Sequence, residues 1–191
     1  MSKFLLAVLL AVSFGVQAAD EAGFVTINPE YENVHGTGND NQILNIITGV
    51  KLENSVTVDL KTAVSNTDNT KAVSAVVETR ARYDYSLDQY GLKNFTVWGR
   101  LGLGEKLTSS GDFGYYTVEP GVSYSINPKL NVTVSDRFRD SFENNKGYET
   151  NTVYLATSYH VSTKDTVGGD MYRKYGDVES TGIELAYTRW F

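Results

Sequence analysis

Five arginines recur at even spacing inside short stretches of this chain: Arg80 and Arg82, Arg100, then Arg137 and Arg139. A guanidinium is a planar fork of donors that grips carboxylates two-pronged, so arginines gathered on one face would attract acidic groups. Carboxylates and a lysine fall at the same parity: Glu78 beside the first pair, Glu119 between Arg100 and Arg137, and Lys61 upstream. A mixed face of this kind can be either a filling of internal ion pairs or the wall of an anion-attracting passage, and the residues alone leave both open. Catalytic patterns are weaker. His160 and Ser162 have a His-x-Ser spacing, but a nucleophilic Ser needs a positioned base and an orienting acid, and Glu179 and Glu184 lie a further strand away. His160 reads as an inward histidine at a strand end. His35 stands alone in a Gly- and Asn-rich segment, and with two histidines and no cysteine no metal site is expected. Gly102-Leu103-Gly104 has no following helix and is no phosphate loop. The sequons at Asn94 and Asn131 fall inside strands and read as chance. No enzymatic activity and no cofactor are expected.

The elements that must position these side chains are strands. Apolar residues recur every second position: Val56, Val58, Leu60, Thr62 and Val64 alternate with Thr57, Asp59, Lys61, Ala63 and Ser65. Period two is the mark of a strand with one apolar and one polar face. Ten stretches read this way, near 23–32, 42–53, 55–65, 73–87, 94–107, 114–126, 130–142, 150–161, 165–175 and 181–191. Each supplies the roughly 9–11 residues that a tilted membrane strand needs. Tyr31, Tyr83, Tyr85, Tyr116, Tyr124, Phe138, Tyr159, Tyr175 and Tyr187 fall on the apolar face, many near strand ends, as interfacial aromatic girdles do. The fold class expected is all-β: a single antiparallel transmembrane β-barrel of about ten strands, with eight or twelve as alternatives.

If the apolar face points outward, the polar face lines the interior. Its cations are then Lys51, Lys61, Arg80, Arg82, Arg100, Lys106, Arg137, Arg139 and Lys174, and its anions Glu30, Asp59, Glu78, Asp84, Glu119, Asp170 and Glu184. Turn positions suggest Arg80 opposite Arg100, an unfavourable meeting of like charges, and Glu119 opposite Arg137 as an ion pair. Asp136 falls on the outer, lipid-facing side unless a bulge intervenes. The segments between strands are short and rich in Asn, Gly and Ser, which disfavours a loop-borne adhesive surface.

The ends fit an exported barrel. Residues 1–19 carry Lys3, an apolar run and an Ala-rich exit, the layout of a cleavable signal, leaving 20–191 as the barrel. Acidic residues outnumber basic ones 23 to 17, against a nucleic-acid partner. A last strand ending at Phe191 resembles the terminal signal by which outer-membrane barrels are recognised by the barrel assembly machinery; Arg189 departs from the usual aromatic there and could snorkel. An even strand number sets both termini at one rim, expected to be periplasmic, with outer-membrane lipid and lipopolysaccharide around the belt.

The segment from Leu130 through Arg137 and Arg139, continuing into Lys146-Gly147-Tyr148, resembles the oligogalacturonate-specific family of monomeric porins. The likeness covers about a quarter of the chain, and that family has twelve strands where ten are read here. It implies an arginine-lined, monomeric outer-membrane channel admitting acidic oligosaccharides. The reading is therefore passive diffusion of small anionic solutes past Arg80, Arg82, Arg100, Arg137, Arg139, Glu78, Glu119 and Lys61. The alternative is a non-conducting structural or adhesive barrel.

Overall fold

The computed structural model describes residues 22–52, 55–70, 72–143 and 146–191; the expected signal segment lies outside them. Ten strands follow in order: β1 (Ala22–Val34), β2 (Asn39–Lys51), β3 (Val56–Thr67), β4 (Ala72–Ser86), β5 (Phe95–Leu107), β6 (Phe113–Asn127), β7 (Leu130–Ser141), β8 (Thr150–His160), β9 (Asp165–Gly176) and β10 (Ser180–Trp190). Each is antiparallel to both neighbours, and β1 pairs with β10, so the sheet closes into a barrel without a free edge. The expected fold class and strand number hold. No helix among the described residues is long and apolar enough to cross a membrane, which says nothing about crossing by strands.

Alternation explains the two surfaces. Leu101, Leu103, Leu155, Met171, Ile183 and Leu185 are exposed on the outside, a side-chain band that water would not tolerate and lipid would. Tyr31, Tyr83, Tyr124, Tyr159, Tyr175 and Tyr187 share that exposed face. Most buried positions among the described residues are instead polar or charged, among them Asn45, Asp59, Glu78, Arg80 and Glu119. This inversion of the usual soluble pattern is what a lipid-embedded barrel requires. The apolar belt and polar interior place the chain in the outer membrane.

Asp136 does face outward, midway along β7 and paired with Val153; no bulge relieves it, the one register shift of β7 against β6 lying near Ser125 and Asn127. Inward glycines make room for inward aromatics. A Cβ on Gly104, Gly121 or Gly182 would fall within 2.6 Å of the ring of Tyr115, Trp98 or Tyr172, respectively, and each glycine is the direct cross-strand partner of its aromatic. Rings thus lie flat over the neighbouring backbone, so large side chains fit within the barrel.

Candidate functional site: the charged interior

All the site residues read from the sequence point inward. Strand register distributes them. Asp59 on β3 is the direct partner of Arg80 on β4, and the Arg80 Nε donates to Asp59 Oδ1 at 2.6 Å. Lys61 faces Glu78 one step further along. Glu78 is 0% exposed; it accepts from Thr117 Oγ1 at 2.7 Å and from the Tyr115 hydroxyl at 3.3 Å. Glu119 accepts from Arg100 Nη1 at 3.3 Å and from Ser135 Oγ at 3.0 Å.

One expected juxtaposition and one expected ion pair are corrected. Arg100 lies opposite Arg82, not Arg80, whose partner on β5 is Gly102. The β4–β5 connection contains a turn of 3-10 helix over Asp88–Tyr90, with Asp88 Oδ1 accepting from the Asn94 backbone N–H at 3.0 Å, so the strands meet two residues out of the register that turn position suggested. The Arg82–Arg100 meeting is compensated. Arg82 bonds Asp84, with Nη2 to Oδ1 at 2.5 Å, and both guanidinium groups stand over the Trp98 ring, at 4.0 and 5.4 Å from its centroid. Glu119 does stand opposite Arg137, between the pairs Val118–Phe138 and Gly121–Ser135, but its bonds go to Arg100 and Ser135 and not to Arg137.

Arg137 and Arg139 are held by tyrosines. Arg137 donates to the Tyr154 hydroxyl, and its guanidinium sits 4.9 Å from that ring's centroid. Arg139 donates to the Tyr148 hydroxyl at 2.9 Å and lies 5.2 Å from the centroids of both Tyr115 and Tyr148. Phe113 and Tyr115 each pack edge to face against Tyr148, with centroids 5.0 and 5.3 Å away. Among the described residues neither arginine makes an ion pair with a carboxylate, and the Nε of each is buried without a partner. The tyrosine cradle escaped the reading of the sequence. Tyr115, Tyr154 and Tyr172 are legible by parity, since they fall on the same face as the polar positions Thr117, Thr152 and Lys174; Tyr148, in a connection, is not.

The interior is divided along its axis. A cavity of about 320 Å³ opens toward the rim away from the chain termini, lined among others by Glu30, Asn45, Lys61, Arg137, Arg139 and Tyr172. A second, of about 450 Å³, lies at the terminal rim against Thr26, Lys51, Arg80, Arg82, Arg100 and Trp190. The two share no lining residue. Where they meet, the nearly buried Arg80–Asp59 pair on the wall of the second cavity abuts Lys61 and Glu78 on the wall of the first, with Glu119 buried among these charges.

The remaining candidates separate. His160 Nδ1 lies 2.9 Å from Thr166 Oγ1, whereas the Ser162 hydroxyl donates to Asp165 Oδ2 at 2.6 Å within its own turn; the two do not meet. Phe191 follows β10, and its N–H donates to the Gly23 carbonyl at 3.0 Å.

A closed barrel with an apolar belt and a charged interior defines the class: an outer-membrane β-barrel. No protein-family model matches the chain, and no curated protein matches it. Solved structures do. A KdgM porin in complex with disordered oligogalacturonate superposes with a TM-score of 0.54 at 14% identity, over 87% of this chain and 99% of that one. An outer-membrane channel from Pseudomonas putida F1 gives 0.55 at 10% identity, over 90% and 95%. At such identities the likeness is one of fold, and the fold is that of outer-membrane channels.

Proposed function

We propose that the chain is a monomeric outer-membrane channel for passive diffusion of small anionic solutes, acidic sugars among them. The observation that carries this reading is the pair Arg137 and Arg139. Tyrosines orient them without neutralising them, so their charge is turned to a cavity large enough for a small ligand. Arg80, Arg82, Arg100, Glu78, Glu119 and Lys61 line the path below and around them. A charged ring in a narrow lumen sets which ions enter. The fold likeness to a porin solved with oligogalacturonate supports the acidic-sugar class. Residues 1–19 act as the export signal, Phe191 as the assembly signal, and the termini lie on the periplasmic side.

A second reading is favoured by one observation. The ion-paired layer between the two cavities is a side-chain filling of the kind small barrels contain, and a barrel so filled would be structural rather than conducting. Single-channel recording of residues 20–191, refolded and inserted in a planar bilayer under a salt gradient, separates the two. Steady conductance with an anion-selective reversal potential supports the channel; silence over many verified insertions gives first place to the filled barrel.

A further inference from the structure

The cavity that opens at the rim away from the termini has a charged part and an apolar part. Three carboxylates line it, Glu30, Glu32 and Glu78, and each has both oxygens engaged by the wall itself. Tyr172 and Asn45 donate to Glu30; Lys174, Ser180 and Asn41 donate to Glu32; Thr117 and Tyr115 donate to Glu78. Four cations of the same lining, Lys61, Lys106, Arg137 and Arg139, make no ion pair among the described residues. The wall's own carboxylates leave these cations unmatched, so the cavity attracts anions.

The apolar part is less expected. Inward positions of a water-filled barrel are polar as a rule, yet Ile43, Ala63 and Val76 all line this cavity. They are neighbours across strands. Ala63 on β3 is the direct partner of Val76 on β4. Ile43 on β2 faces Ser65, two residues along the same face of β3 from Ala63. Val76 in turn packs against the cluster of Phe113, Tyr115 and Tyr148. One apolar strip thus runs from β2 to the Tyr148 ring, and it ends on cations. Arg139 donates to the Tyr148 hydroxyl and lies 5.2 Å from that ring's centroid, and the Lys106 ammonium lies 4.8 Å from the same centroid. Lys106 is also the direct partner of Val76. Val34, at the end of β1, and Val178, in the β9–β10 connection, carry apolar surface out to the rim. Water gains nothing from such a strip, whereas hydrocarbon laid along it leaves water.

We propose that this cavity selects amphipathic anions, small carboxylates whose body is hydrocarbon. The acid group lodges at Arg139 and Lys106, and the body lies along Val76, Ala63 and Ile43. The proposal rests on the channel reading for the route of entry, and it narrows the solute class. A sugar acid laid along the same strip would turn hydroxyl groups to side chains that offer them no bond. Sugar acids are therefore the weaker ligands of the two kinds.

Cyclohexanecarboxylate and galacturonate make the discriminating pair: each is a six-membered ring with one carboxylate, one ring hydrocarbon and the other hydroxylated. Cyclohexylmethanol keeps the apolar ring without the charge. Titration calorimetry on the barrel in lipid nanodiscs, with empty nanodiscs subtracted, measures binding apart from conduction. Cyclohexanecarboxylate is expected to bind roughly tenfold tighter than galacturonate, the worth of burying about two methylene groups, and tighter than cyclohexylmethanol. Ile43→Thr combined with Val76→Thr should bring the two acids level; Ile43→Thr alone, which should narrow the gap, is the second variant should the double one fold poorly. Equal affinity for the two acids overturns the proposal, as does tighter binding of galacturonate, binding of neither, or a preference that both variants leave intact. Equal affinity for cyclohexanecarboxylate and cyclohexylmethanol overturns it too, since the cations would then play no part. Single-channel recording of the same protein keeps the two readings apart. The expected binding in a barrel that never conducts would sink the channel reading and keep the site. Anion conduction without preference for the apolar acid would do the reverse.

Discussion

Glu119 gives one carboxylate oxygen to Arg100 on β5 and the other to Ser135 on β7. With Glu119 so engaged, Arg137 makes no ion pair with a carboxylate among the described residues. The two arginines should therefore respond differently to neutralisation. Arg137→Gln together with Arg139→Gln should move the reversal potential toward non-selectivity while the barrel stays folded. Arg100→Gln should instead lower stability, because it strands Glu119. Bilayer recording and urea unfolding of both variants in lipid vesicles check both halves; unchanged selectivity in the double variant would remove these arginines from the filter.

The Arg80–Asp59 pair is nearly dry on both sides. Breaking such a pair from one side leaves a buried charge, which costs about 3–5 kcal/mol. Asp59→Ala is expected to lower the unfolding free energy in vesicles by that order. Replacing both residues with Asp59→Leu and Arg80→Met should recover most of it. A single variant as stable as the parent would mean that water reaches the layer between the cavities.

Gly104 has the Tyr115 ring where a Cβ would stand, whereas Gly99, on the outer face of the same strand, has nothing within 4 Å. Gly104→Ala must displace a ring packed under Tyr148, and overpacking of this kind costs roughly 1–3 kcal/mol. Gly99→Ala should be neutral or slightly stabilising. Equal behaviour of the two variants in chemical unfolding would contradict the close ring-over-glycine contact.

Asp136 stands on the apolar belt, midway along β7. A carboxylate there is destabilising, though less so than a lysine or arginine at the same depth. Asp136→Val is predicted to raise unfolding stability in vesicles by about 1 kcal/mol or more. Loss of stability would mean that the carboxylate has a partner in the membrane.

Period-two alternation was enough to locate the strands and sort the charges, because a barrel in lipid turns every second residue to the opposite medium. It placed Asp170, Glu184 and Glu30 inside as readily as the arginines. Contacts between strands were less legible. Register depends on turn geometry, and the 3-10 turn at Asp88–Tyr90 moved Arg100 from Arg80 to Arg82. Ion pairing depends on which of two neighbours a side chain leans toward, as Glu119 shows. An aromatic residue suits both the membrane interface and a guanidinium cradle, so residue type alone does not show that Tyr115 and Tyr154, at polar parity, hold arginines. The ring-over-glycine pairs have a sequence signature only once register is known.

Every strand pairing except one joins neighbours in sequence; the exception sets β1 against β10, with Phe24 opposite Trp190. Hairpin pairings close short loops, whereas this seam must bring together residues from opposite ends of the chain, an entropically demanding and slow event. The last step of folding should accordingly be zipping of the seam. A variant weakened only there, such as Trp190→Ala, should slow closure more than it disturbs the finished hairpins, and a permuted chain whose ends are joined beside Phe191 should close faster than the natural one.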